Sequence, residues 1–157
     1  MRKNKFLIIL CFLCLGFIFF NSSQTGNESN VRSNNMVDKA VTVMAKADSN
    51  ILQKEINNKK LNLLIRKCAH AFEFSILAII ISLTLNDLKI DWKNRIIYTL
   101  FIVLLCAVLD ELFQLDVPGR SSSVLDVLID FFGGIIACIC FQTIRLYLSK
   151  NKMHKSL

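Results

Sequence analysis

A histidine, a carboxylate and two cations stand together in Arg66-Lys67-Cys68-Ala69-His70-Ala71-Phe72-Glu73-Phe74, at the mouth of an apolar run that continues to Leu85. Arg66, His70 and Glu73 fall at i, i+4 and i+7, so on a helix they share one face. Two further polar sets follow: Asp110, Glu111 and Gln114, then Pro118-Gly119-Arg120 leading to Asp126 and Asp130. Ionisable groups at the edge of a lipid-buried helix are costly, which points to function or to pairing. Several chemistries are open. His70, held by Glu73 or Asp110 and with Glu111 nearby, suits general acid–base work because imidazole titrates near neutrality. His70 with Glu73, Glu111, Asp126 and Asp130 offers nitrogen and oxygen donors of the kind Zn or Mn accepts. His-x-x-Glu lacks the repeated His or Cys spacing of a zinc motif, so a metal is left undetermined and no cofactor is named. Arg66, Lys67 and Arg120 could clamp an anionic headgroup, with Gln114, Asp126 and Asp130 completing a binding set. The plain structural alternative pairs Arg66 with Glu73, and Arg120 with Asp110 or Asp126, as ion pairs that lock helices together.

These side chains need elements to position them, and the composition says which kind. Over half the residues are apolar (54%), yet the chain of 157 residues has one Pro and five Gly. The apolar residues gather into four runs, Phe6–Phe20, Cys68–Leu85, Ile96–Leu115 and Val124–Leu148. A bilayer-spanning helix needs about 20 mostly apolar residues, so the reading is an all-α membrane protein with four spans in a bundle. Residues 1–23 would be the amino terminus and an uncleaved anchor, since Phe19-Phe20-Asn21-Ser22-Ser23 offers no small-x-small cleavage site. Asn21 to Asn35, rich in Asn, Ser and Gly, reads as a loop. Val37, Val41, Met44, Asp48, Ile51, Leu52 and Glu55 then carry a helical stripe, which predicts an extracytoplasmic amphipathic helix between the first and second spans, lying on the membrane or packed over the bundle, with a solvated linker helix as the alternative, ended by Asn57 to Lys60. Residues 24–65 form that connecting region, 66–148 the three-helix core and 149–157 a basic tail. Pro118-Gly119 marks a tight turn. Ser123-x-x-Asp126 resembles a capping box for the last helix, and Gly133-Gly134 permits close helix contact.

The net charge of +7 does not indicate nucleic acid, because the basic residues flank apolar runs instead of lining one soluble face. They set orientation. Arg2, Lys3 and Lys5, then Lys89, Lys93 and Arg95, then Arg145, Lys150, Lys152 and Lys155 all fall on one side if the chain crosses four times, which places both termini in the cytoplasm of a bacterial plasma-membrane protein. Lys59, Lys60, Arg66 and Lys67 oppose that vote from the far side. Trp92 and Tyr98 read as interface anchors. The six cysteines sit in or beside apolar runs and read as small hydrophobes. In this topology the three polar sets converge outside, while the cytoplasmic halves of the last three spans carry almost no ionisable group before Arg145.

Taken together, Arg66-Lys67-x-Ala69-His70-x-x-Glu73-Phe74, Asp110-Glu111-x-x-Gln114, Pro118-Gly119-Arg120 and Asp126-Val127-x-x-Asp130-x-x-Gly133 resemble the VanZ family of bacterial membrane proteins. The resemblance covers roughly residues 66–135, and more weakly Ser22-Ser23-Gln24-Thr25-Gly26 after the first span. Ala71 and Phe72 depart from the family pattern without removing a polar group. The resemblance implies a multi-pass plasma-membrane protein with extracytoplasmic polar motifs, and a link to resistance against teicoplanin, a lipoglycopeptide directed at cell-wall precursors. It implies no reaction and no established catalytic residue.

Three functions compete. The first is an envelope protein that binds an anionic lipid headgroup, a lipid-linked cell-wall precursor or a lipoglycopeptide through an outward polar pocket. The second is an intramembrane hydrolase using His70 and carboxylates, with or without a metal. The third is a structural membrane subunit whose charges pair internally. Transport does not fit, because no repeat is present and the polar groups do not continue across the membrane.

Overall fold

A computed structural model of the chain describes residues 2–47 and 58–154. Five helices occur among them: α1 (Arg2–Ser22), α2 (Gly26–Ala47), α3 (Asn58–Asp87), α4 (Trp92–Gln114) and α5 (Val124–His154). Four are long and apolar enough to cross a membrane, over Lys5–Ser22, Leu61–Asp87, Trp92–Gln114 and Val124–Leu148. The four-span, all-helical reading therefore holds. α3 is the hub, packing against each of the other four helices.

The bundle is apolar on the outside and polar at the two ends of its interior. On α4 the buried face runs Arg95, Thr99, Val103, Cys106, Ala107, Asp110, Glu111 and Gln114, at three- and four-residue spacing. Leu104, Leu105, Val108, Leu109 and Leu112 face outward on the same helix. Such a pattern would be costly in water; in lipid the tails solvate the outer leucines while polar groups find partners inside. Between the polar ends lies a dry core of Ile18, Phe74, Leu77, Ala78, Ile81, Val103, Cys106 and Ala107. All six cysteines are free thiols, consistent with their reading as small hydrophobes.

Close approach of α3 and α5 depends on Gly133, where a Cβ would overlap the Ala71 carbonyl oxygen. Ser75 Oγ sits in that gap, 2.7 Å from Ala71 O and 2.9 Å from Gly133 O, and its hydroxyl donates across the seam. Gly134 meets Val103 of α4, whose Cγ1 would lie 2.6 Å from an added Cβ. The glycine pair thus seats α5 against two helices at once.

Three boundaries differ from the sequence reading. The expected loop Asn21 to Asn35 is mostly helix, because α2 starts at Gly26 behind a capping box. Thr25 N–H donates to Glu28 Oε2 at 2.9 Å and Glu28 N–H to Thr25 Oγ1 at 3.4 Å, two orphan donors satisfied reciprocally. The Thr25 backbone bond, then its hydroxyl, hold the Glu28 carboxyl below its ordinary range. Secondly, Asn58 to Lys60 begin α3 where a helix end was expected, so α3 enters well before Cys68. Thirdly, Ser123 caps α5 by accepting from Leu125 N–H at 3.2 Å, but Asp126 is not its reciprocal partner. Glu111 fills that place from α4, accepting the Ser123 N–H at 2.8 Å, which frees Asp126 for Lys67. Of the predicted amphipathic stripe, Asp48 to Glu55 lies outside the described residues.

The α4–α5 turn has Pro118 at its second position and Gly119 at its third, with φ of 75° and an Arg120 N–H to Val117 O bond of 3.2 Å. Only glycine takes that positive φ without strain. Gly26 N–H donates to Pro118 O at 3.1 Å, and a Cβ on Gly26 would overlap the Gly119 carbonyl oxygen. The start of α2 is thereby clasped to the turn that precedes α5.

Candidate functional site

α1 and α4 end, and α3 and α5 begin, at the same end of the bundle. That antiparallel arrangement gathers the chain's separated polar sets. Arg66, His70 and Glu73 line one cavity with Arg120, and Arg66, Lys67, His70, Glu111, Gln114, Asp126 and Asp130 line a smaller one beside it. Asp110 joins them through its own contacts. All ten candidate side chains of the sequence reading are therefore at one end.

Asp110 is the most enclosed, at 0% exposure. Its Oδ2 accepts from Ser22 Oγ at 2.8 Å and from Gln114 Nε2 at 2.7 Å, while Oδ1 has no partner. Gln114 relays to Arg120, whose Nη1 donates to Gln114 Oε1 at 3.0 Å. Arg120 also donates Nε to Gln24 O at 2.9 Å and Nη2 to Asn21 O at 3.0 Å. One guanidinium thus ties the turn to α4 and to the exit of α1. Burial, and after it the neighbouring Arg66, lower the Arg120 pKa, while Asp110 and Glu111 oppose them. A guanidinium remains cationic throughout any such shift.

The ion pairs differ from those expected. Arg66 does not pair with Glu73, nor Arg120 with Asp110 or Asp126; Lys67 pairs with Asp126, and His70 Nδ1 stands 3.7 Å from Glu73 Oε2 without a hydrogen bond, a contact that is an ion pair only when the imidazole is protonated. Glu73 Oε1 is instead held by Asn21 Nδ2 at 2.8 Å. His70, Asp110 and Asp130 each offer a ligand atom, and these atoms lie within 4.8 Å of one another. Asp130 is 2% exposed, so two carboxylates approach each other away from water. One imidazole and two carboxylates, with Asp110 Oδ1 unengaged, form a donor set that suits a divalent cation of the Zn or Mn type. Glu73 and Glu111 are drawn off to Asn21 and Ser123 and Asp126 to Lys67, while Asp110, which the sequence reading had not placed in the metal set, joins His70 and Asp130.

The larger cavity, about 340 Å³, opens between α1, α2 and α3. Arg32, Arg66 and Arg120 bring three guanidinium groups to it, while Phe17, Phe20, Met36 and Ile65 supply an apolar wall. Asn21, Ser22, Gln24 and Arg32 were not among the candidate site residues of the sequence reading. Arg32 donates to Asn21 Oδ1 at 3.1 Å and to Gln24, so it belongs to the same network. Thr25-x-x-Glu28 was the available signal: recognised as a helix start, it carries Arg32 back over the first helix's exit.

A family model described as VanZ/LLP1 matches residues 6–145. No curated protein and no solved structure gives a significant match.

Proposed function

We propose, from the premise that this chain belongs to the VanZ/LLP1 family, that it binds the anionic headgroup of an envelope lipid or lipid-linked cell-wall precursor. The polar end faces outward from a bacterial plasma membrane, both termini are cytoplasmic, and the role is linked to resistance against teicoplanin-type glycopeptides. The observation that carries the reading is the cavity where Arg32, Arg66 and Arg120 converge beside an apolar wall. Planar guanidinium forks match phosphate oxygens bidentately, and the adjoining Phe17, Phe20 and Met36 suit the first part of a lipid chain. In a teicoplanin-susceptible host, Arg66→Gln should abolish any protection the wild type gives, at unchanged membrane abundance. Native mass spectrometry should show about tenfold weaker retention of a phosphorylated polyprenol, the loss typical of a charged hydrogen bond. Retention and protection both unchanged in Arg66→Gln would remove the proposal.

A second reading rests on His70, Asp110 and Asp130 standing within 4.8 Å of one another. These three would hold a divalent cation, and such an ion supplies a Lewis acid and lowers the pKa of bound water. His70 and Asp130 would orient it, and Ser22 and Gln114 would hold Asp110 in place. Metal analysis of protein purified without chelator should find near-stoichiometric Zn or Mn, lost on Asp130→Asn. Metal-free wild type protein would dismiss the hydrolase in its metal-assisted form.

A further inference from the structure

The opposite end of the bundle also has a polar interior, and no part of the reading above uses it. Arg95, at the start of α4, is 7% exposed. It donates Nη1 to Asn86 Oδ1 at 2.7 Å and Nη2 to Gln142 Oε1 at 3.0 Å. Gln142 in turn donates Nε2 to Ser82 Oγ at 2.8 Å. Arg145, from α5, lines the same cavity of about 170 Å³ with Asn86, Arg95, Gln142 and Leu146.

The hydrogen-bond chemistry of this cavity is one-sided. An arginine has donors only, so it fixes both amides with their oxygens toward it. The Asn86 amide nitrogen is thereby turned elsewhere. Arg95 Nε and Arg145 Nη1 are buried without a partner. Among the described residues neither guanidinium makes an ion pair: the Lys67–Asp126 pair and the His70–Glu73 contact lie at the other end, and Asp87, beside Asn86 on α3, leaves its Oδ2 unpartnered. Asp91, the nearest acid in the α4 sequence, is exposed and spends its carboxylate on capping Asn94, at 3.2 Å to the backbone N–H and 2.6 Å to Nδ2. Buried Arg95 and half-buried Arg145 keep spare donors that no carboxylate pairs with among the described residues, and together they form an incomplete site.

We propose that Arg95 and Arg145 form a second binding site, for a phosphate oxyanion, at this end. Phosphate supplies the missing negative charge and several acceptor oxygens to the remaining donors. The depth suits a phospholipid headgroup: Asn86, Arg95 and Arg145 all stand near the ends of their membrane spans. Trp92, half exposed one turn before Arg95, anchors α4 at the same level. Free inorganic phosphate offers the same chemistry from the aqueous side.

Trp92 is the chain's sole tryptophan, so its fluorescence reports on this end alone. The full chain is reconstituted in phosphatidylcholine vesicles containing phosphatidylglycerol, with bromine on the acyl chains of one lipid or the other. Brominated phosphatidylglycerol should quench Trp92 in preference to brominated phosphatidylcholine, and Arg145→Gln should weaken that preference about fivefold, the scale of one charged hydrogen bond. Arg145 has no hydrogen-bonded partner to lose, so this variant folds even if Arg95→Gln does not. In vesicles of phosphatidylcholine alone, inorganic phosphate is titrated against chloride. A saturable change in Trp92 emission that disappears in Arg145→Gln, without a lipid preference, identifies free phosphate as the source. Neither response in the wild type, or responses identical in Arg145→Gln, overturns the proposal.

Discussion

Asp110 shows how a single residue can be expensive and yet indispensable. A carboxylate at 0% exposure stays tolerable only while Ser22 and Gln114 donate to it. Removing one donor leaves the carboxylate short of a partner that no water can replace, which costs more than the bond's net contribution when made. Ser22→Ala should therefore destabilise the bundle by about 1–3 kcal/mol. Asp110→Asn in the same background should recover part of that loss, because an amide needs fewer donors. Unfolding in a mild neutral detergent, followed by circular dichroism, measures both. Equal stability of wild type and Ser22→Ala would mean that Asp110 is satisfied by something other than these two donors.

At the scale of elements, the clasp between α2 and the α4–α5 turn is the least redundant contact. Gly26 has no room for a methyl group because the obstruction is the Gly119 carbonyl, part of the backbone and unable to rotate away. Gly26→Ala must push α2 off the turn and break the Gly26 N–H to Pro118 O bond of 3.1 Å. A loss of about 2 kcal/mol or more is expected, on the scale of overpacking against a rigid neighbour. Faster amide exchange over Thr25 to Ser29, with the core of α3 still protected, should accompany it. An unchanged exchange pattern would contradict the clasp. The capping box also made α2 legible in principle: Thr25-x-x-Glu28 is a helix-start signature, but the Asn- and Ser-rich stretch around it hides that signal from a reading based on hydrophobic runs. The same blindness delayed α3, whose polar first turn precedes its apolar run.

For the whole molecule, an antiparallel bundle puts the three polar sets at one end whatever side of the membrane that end occupies. The basic flanks Arg2 to Lys5, Lys89 to Arg95 and Arg145 vote for cytoplasmic placement of the other end. Gly119→Cys in a cysteine-free background tests that orientation. Its substitution strains a positive φ, so Ser121→Cys in the adjoining loop provides a second reporter. Labelling by a membrane-impermeant maleimide should occur from outside intact cells. Labelling only after the inner face is exposed would reverse the orientation and, with it, the proposal of an envelope ligand.

Much of this protein follows from its sequence alone. Apolar runs of bilayer length leave few alternatives to four spans, because in lipid every backbone polar group must be satisfied within its own helix. Antiparallel spans of similar length then bring Arg66 to Glu73, Asp110 to Gln114 and Arg120 to Asp130 to one level without any tertiary detail. Which atoms pair at that level was decided by rotation of each helix about its axis and by the seam at Gly133, and periodicity specifies neither. Hence Lys67, not Arg66, meets a carboxylate, Glu111 caps α5, and Asp110 with Asp130 stands beside His70. The guanidinium cavity and the paired arginines at the far end arose the same way, from helices distant in sequence whose facing sides only packing could choose.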